Sequence, residues 1–181
     1  MIRPPIIYIL LAVCMFIFLL FSFTFGIINM YGEIVSSSQF GTNKLEIHGT
    51  LIDLAVARKE SYAHPGALPD VIPSNISDDL ARRDFSINSM AISLNNRWGK
   101  LIDPFDGNAD LKRGLVRTLH ANSFVEDPTR ILRAIRYTHR IGFRLESETE
   151  RLLKQGIQYI RAVSSDRIRH EISLIFRENR V

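Results

Sequence analysis

From Pro4 to Gly32 the chain carries no charged side chain, and Ile6 to Ile28 are almost all Ile, Leu, Val, Phe, Met and Ala. About 20 such residues suffice to span a bilayer as a helix. The pattern therefore predicts an N-terminal hydrophobic helix, a transmembrane candidate, within residues 1–28. After Gly32 the periodicity shortens. Gly32-Glu33-Ile34-Val35 reads as a short strand. Lys44–His48 alternates and Leu51–Ala57 is apolar, with Gly49-Thr50 between them, which predicts a hairpin. Four breakers, Pro65, Gly66, Pro69 and Pro73, predict a loop over 58–75. Ser77-Asp78-Asp79 can cap a helix running through Arg82-Arg83 toward Met90. A second hairpin is predicted from Ile92-Ser93-Leu94 and Leu101-Ile102, and another strand over 116–119. The rest is helical in period: one helix begins after Asp127-Pro128 and stops at Gly142, and others cover 147–155 and 165–179.

Charge changes the picture, because it is segregated. Residues 31–81 hold 3 basic and 7 acidic side chains, whereas residues 82–181 hold 19 and 12, a net −4 followed by a net +7. A basic C-terminal half suggests an anionic partner. The single cysteine, Cys14, excludes a disulfide framework and any Cys-based zinc site. The five histidines show no metal-ligand spacing, and Glu146–Glu150 reads as a helix start with acids near its positive end.

Several residues suit nucleotide chemistry. Arg83 is a fixed fork for phosphate. Asp84 and Asn88, four apart on one helix face, can reach ribose hydroxyls. The alternative is that Arg82 and Arg83 pair with Asp78 and Asp79 on a solvated face. Asp127 and Arg130 supply an acceptor and a donor three residues apart, able to read the Watson–Crick edge of C or A. Asp127 also reads as a helix N-cap, and both roles can hold only if different carboxylate oxygens serve them. Arg133, Arg136 and Arg140 fall within about 60° of one another around a helix. Ile131, Leu132 and Ile135 take a separate face, so the arginines form either an RNA-facing stripe or a solvated one. Arg161, Arg167, Arg169, Arg177 and Arg180 extend the positive surface.

Three segments occur together in order: Arg82-Arg83-Asp84-x-x-Ile87-Asn88-x-Met90, Asp103-Pro104-x-x-Gly107-x-x-Asp110-Leu111, and Glu126-Asp127-Pro128-x-Arg130-x-x-Arg133-Ala134-x-Arg136-Tyr137. With Phe40-Gly41-Thr42, Ile52-Asp53-Leu54-Ala55-x-Ala57-Arg58 and Tyr62-x-x-Pro65-Gly66-Ala67-Leu68-Pro69, they resemble the class II nucleotidyltransferases. That family comprises the CCA-adding tRNA nucleotidyltransferases and the bacterial poly(A) polymerases. The resemblance covers roughly residues 29–181. It implies an α/β (α+β) partial head domain over 29–119 and an all-α neck over 120–181 that binds nucleotide and RNA. It further implies ATP and CTP as substrates, Mg²⁺ as cofactor, the 3′ end of tRNA or another RNA as partner, and a cytoplasmic setting. Arg83, Asp84, Asn88, Asp127, Arg130 and Arg133 become the nucleotide-binding set. Arg136, Arg140, Arg167 and Arg169 become the RNA-binding set. Asp110-Leu111-x-x-Gly114-Leu115-x-Arg117 looks more like the tRNA enzymes.

The family's head opens with a G-G-x-V-R-D loop and a D-x-D strand that holds two metal ions. Neither pattern occurs in this chain. Asp53 is a conceivable third carboxylate, and one carboxylate alone is a poor Mg²⁺ site. The expectation is a fragment truncated at its N-terminus and inactive alone. The alternative is a membrane-anchored, non-catalytic nucleotide- or RNA-binding module, held through residues 6–28. Arg3 alone would put the body outside the cytoplasm, against the nucleotide reading, so a misplaced start or a fusion also stays open.

Overall fold

A computed structural model describes residues 33–37, 42–94 and 98–178. The expected hydrophobic helix over 1–28 lies outside them. Among the described residues, no helix is long and apolar enough to cross a membrane. The described chain forms two compact units.

The first unit comprises the described residues up to Lys59, with Pro73–Asp79 and Ala91–Ile102. Its strands β1 (Glu33–Ser37), β2 (Thr42–Ile47) and β3 (Thr50–Ala55) form an antiparallel meander, with a register shift between Ile34 and Ser36. The β2–β3 turn is His48-Gly49, at φ 49° and 76°. Two left-handed residues in succession match the right-handed twist of the flanking strands. Leu45 is buried from the centre of β2. Strands β4 (Arg58–Ser61) and β5 (Asp70–Pro73), whose residues 60–61 and 70–72 belong to the second unit, pair as a small sheet where the breakers predicted only loop. Those breakers sit in the connection and at the end of β5, where they do not interrupt pairing. Helix α1 (Ile76–Ala81) is capped by Asn75, whose side-chain oxygen accepts from Asp78 N at 3.0 Å. Strands β6 (Ala91–Ile92) and β7 (Leu101–Ile102) make the second predicted hairpin.

The second unit takes Glu60–Ile72, Leu80–Met90 and the chain from Asp103 onward. Phe85, Val116, Phe124, Ile131 and Ala134 form its buried centre, with Tyr137, Phe143, Leu145, Leu152 and Ile160 against them. Helix α2 (Gly107–Arg113) starts on the Asp103 carboxylate, which accepts from Gly107 N and Asn108 N at 2.7 and 2.9 Å. A Cβ at position 107 would stand 2.2 Å from the Ser86 carbonyl oxygen, so only glycine fits. Strand β8 (Leu115–Val116) pairs in parallel with β9 (Arg144–Leu145). The crossover contains α3 (Ser123–Glu126) and α4 (Thr129–Ile141), and α4 ends at Gly142 with φ 70°. Helices α5 (Ser147–Gly156) and α6 (Ser165–Phe176) follow, joined by a 3₁₀ segment over Ile157–Ala162.

The helix expected to continue from α1 toward Met90 does not form. Phe85 is fully buried and bridges Thr118, and Ser86 N donates to the Arg117 carbonyl at 2.9 Å. These backbone groups pair across the fold rather than within a helix, leaving one 3₁₀ turn, Ser86–Asn88.

Candidate functional site

The Arg82-Arg83-Asp84 turn, the start of α4 and the first turns of α6 all belong to the second unit. Asp84 and Asn88 meet although no helix joins them, through Asn88 Nδ2 donating to Asp84 Oδ1 at 3.0 Å. Phe85 N donates to the same oxygen at 2.9 Å. The other oxygen, Oδ2, accepts from Arg133 Nε and Nη2 at 2.8 and 2.6 Å. Both carboxylate oxygens are thus satisfied at a group only 7% exposed. Burial opposes its ionisation, but the Arg133 guanidinium and the Asn88 amide prevail and hold its carboxyl below the usual range. Arg133 also reaches Glu171 Oε1 at 3.4 Å and lies 5.6 Å from the centre of the Tyr137 ring. Arg83 turns its guanidinium to the Asn88 carbonyl at 3.0 Å. Arg82 pairs with Glu60 at 2.9 Å.

Asp127 closes α3 and precedes α4. Its Oδ1 accepts three hydrogen bonds: from Thr129 N at 3.1 Å, Thr129 Oγ1 at 2.7 Å and Arg167 Nη2 at 2.8 Å. No donor among the described residues reaches Oδ2. Capping therefore falls on one oxygen, the division that a double role requires. Asp127, Thr129, Arg133, Asp166, Arg167, His170 and Glu171 line a cleft of about 440 Å³.

Arg130 is placed differently from the expectation of an open donor beside Asp127. It is 4% exposed, and it donates to Ser123 Oγ and to the Arg82 carbonyl, each at 2.7 Å. The guanidinium braces the Arg-Arg-Asp turn against α3. Arg136 also departs from the expected stripe. It is 8% exposed, faces Glu171 at 3.4 Å and Glu178 at 3.9 Å, and lies over the Tyr137 ring at 5.2 Å. Helix α4 turns Arg133 and Arg136 toward Glu171 of α6, while Ile135, expected on the apolar face, is exposed. Arg140 is exposed, and exposed Arg169 pairs with Asp166 within one turn of α6. Arg167 is committed to the Gly66 carbonyl at 3.0 Å and to Asp127.

Glu171 and Thr129 were missed at the level of sequence. Thr129 had a local signal, since an Asp two residues before a Thr at a helix start commonly bonds its backbone N–H. Glu171 had none, because its partners are 35 and 38 residues away.

Asp53 lies in the first unit, on β3, opposite Lys44 of β2. Among the described residues no group of three His, Cys, Asp or Glu could hold a metal ion. A single carboxylate with an ammonium as its cross-strand neighbour does not fit the Mg²⁺ that the resemblance implies.

Short strands and helices in two units, with a carboxylate–guanidinium site in the second, make a mixed α/β protein with helices at its C-terminal end. Residues 27–117 match the poly A polymerase head domain family, and the chain belongs to it. It is 47% identical over 145 residues to the A-adding tRNA nucleotidyltransferase of Aquifex aeolicus, over 78% of this chain and 18% of that protein. A structure of a CCA-adding enzyme in an apo form superposes with a TM-score of 0.81 at 44% identity, over 88% of this chain and 39% of that one. A tRNA nucleotidyltransferase crystallised with a primer tRNA and an incoming ATP analogue gives 0.74 at 38%, over 90% and 45%. The chain thus spans less than half the length of each. Its mixed α/β part and C-terminal helices follow the expected class.

Proposed function

We propose that this chain is the nucleotide-selecting and RNA-facing portion of a tRNA 3′-end nucleotidyltransferase, with a partial head over 29–119 and a helical neck over 120–181. The observation that carries the reading is the asymmetric Asp127 carboxylate on a charged cleft, with three donors on Oδ1 and none among the described residues on Oδ2. A free carboxylate oxygen accepts from the exocyclic amino group of adenine or cytosine. Guanine and uracil present a carbonyl oxygen at the corresponding position, which it repels. Arg133, on the cleft wall, faces the sugar and phosphates, held there by Asp84, which Asn88 orients in turn, while Arg83 and Arg130 brace the Arg-Arg-Asp turn. Exposed Arg140 and Arg169 serve an RNA backbone. Supporting the partners, a relative of this fold binds a primer tRNA and an ATP analogue.

Calorimetry with the four nucleoside triphosphates tests this. ATP and CTP are expected to bind more tightly than GTP and UTP by about 1–3 kcal/mol, the scale of a good base-edge contact. Asp127→Asn replaces an acceptor by an amide that can donate, and should remove that preference. Equal affinity for all four nucleotides would sink the reading and leave Asp127 as a capping residue.

A further inference from the structure

Arg167, on the first turn of α6, joins three segments of the second unit. Its Nη2 donates to Asp127 Oδ1 at 2.8 Å and its Nη1 to the Gly66 carbonyl at 3.0 Å. Gly66 N in turn donates to the carbonyl of Glu126, the residue before Asp127, at 3.3 Å. The loop is seated closely. Gly66 has φ 76°, and a Cβ there would stand 2.7 Å from the Ala162 carbonyl oxygen. The guanidinium is a rigid planar fork, so its hold on Gly66 fixes the direction from which it meets Asp127. Rotation of the Asp127 carboxylate would break the Arg167 bond and both Thr129 bonds at once.

We propose that Arg167 is a positioning residue for base selection: it pins Asp127 through Oδ1 and the Gly66 loop, so that Oδ2 keeps one orientation at the cleft. This rests on Asp127 reading the base edge. Without Arg167, only the two Thr129 bonds oppose rotation of the Asp127 carboxylate and water gains access to Oδ1, so the carboxylate leaves this orientation more often and discrimination between an amino group and a carbonyl weakens. A lysine at this position can reach one partner but cannot bridge both with a planar fork.

The test measures ATP and GTP affinity of the 181-residue chain and its variants by calorimetry. In Arg167→Met the ATP-over-GTP preference should fall about tenfold or more, the scale of one charge-assisted hydrogen bond. GTP affinity should change little, and Arg167→Lys should recover part of the loss. Gly66→Ala, which displaces the loop and removes the second anchor, should lower the preference in the same way. A merely structural role would weaken both nucleotides together. An unchanged preference in Arg167→Met and Gly66→Ala, alongside its loss in Asp127→Asn, would overturn the positioning role while leaving base reading intact. A preference that survives Asp127→Asn would remove base reading by Asp127, and the positioning role with it.

Discussion

At the scale of single residues, the pair between Asp84 and Arg133 is the strongest local feature of the helical side. Four N–H donors converge on one buried carboxylate, two of them from a guanidinium that is itself 30% exposed. Such a group stabilises the fold only while ionised. Its carboxyl is held below the value it has in the unfolded chain, so its contribution is complete above the unfolded value near pH ~4. It is lost as pH falls through the lower folded value. Asp84→Asn should cost roughly 2–4 kcal/mol in urea unfolding at pH 7, less than a fully buried pair because Arg133 retains some water. The difference between wild type and variant should shrink as pH falls through the lowered folded value, where the wild-type carboxyl is protonated too. A gap that stays constant with pH would mean that Asp84 acts through shape rather than charge.

At the scale of elements, the segment just after β8 and the start of α5 share a polar joint. Glu146 caps α5 by accepting from Glu148 N and Thr149 N at 3.0 and 2.9 Å. Thr149, fully buried, then offers its hydroxyl oxygen to Thr118 N at 3.1 Å. Two substitutions separate the contributions. Glu146→Ala removes a cap at an exposed helix start and should cost about 1 kcal/mol. Thr149→Val keeps the volume but leaves the buried Thr118 N–H without its acceptor, and should cost about 1–3 kcal/mol. Thermal unfolding of the two variants should rank Thr149→Val as the more damaging. The reverse order would mean that water reaches Thr118.

At the scale of the whole chain, charge and chemistry are distributed unevenly. The base-reading and phosphate-facing candidates gather in one unit, while Asp53, the lone candidate metal ligand, sits in the other opposite Lys44. No D-x-D occurs in the 181 residues. Incubated with Mg²⁺, ATP, CTP and a tRNA lacking its 3′ end, this chain should incorporate no nucleotide, even where it binds ATP and CTP. Incorporation that Asp53→Ala abolishes would make Asp53 a true ligand and overturn that expectation.

Wherever the determinant is a short run of neighbouring residues, the outcome was legible in the sequence. The end of α4 at Gly142, the hairpin around Gly49, and the ordered Arg-Arg-Asp, Asp-Pro and Glu-Asp-Pro segments that mark the family are of this kind. A left-handed glycine, or a motif contained in one turn, needs no distant partner. The capping role of Asp127 was also legible, since a carboxylate just before a helix start takes a backbone N–H, and Thr129 N bonds its Oδ1. Tertiary structure alone decided the rest. Residues 82–90 leave the helical path because the backbone of Phe85 and Ser86 pairs with 117–118, about 30 residues away. Arg136 turns inward because Glu171 waits on α6, 35 residues further on. Arg130 becomes a brace because the Arg82 carbonyl lies within reach of α4. Arg136 meets Glu171 as an ion pair, without a hydrogen bond between Nε and Oε2. Ser86 N and the Arg130 guanidinium take the partners the fold brings close, since leaving a buried donor without one costs more than any local preference gains.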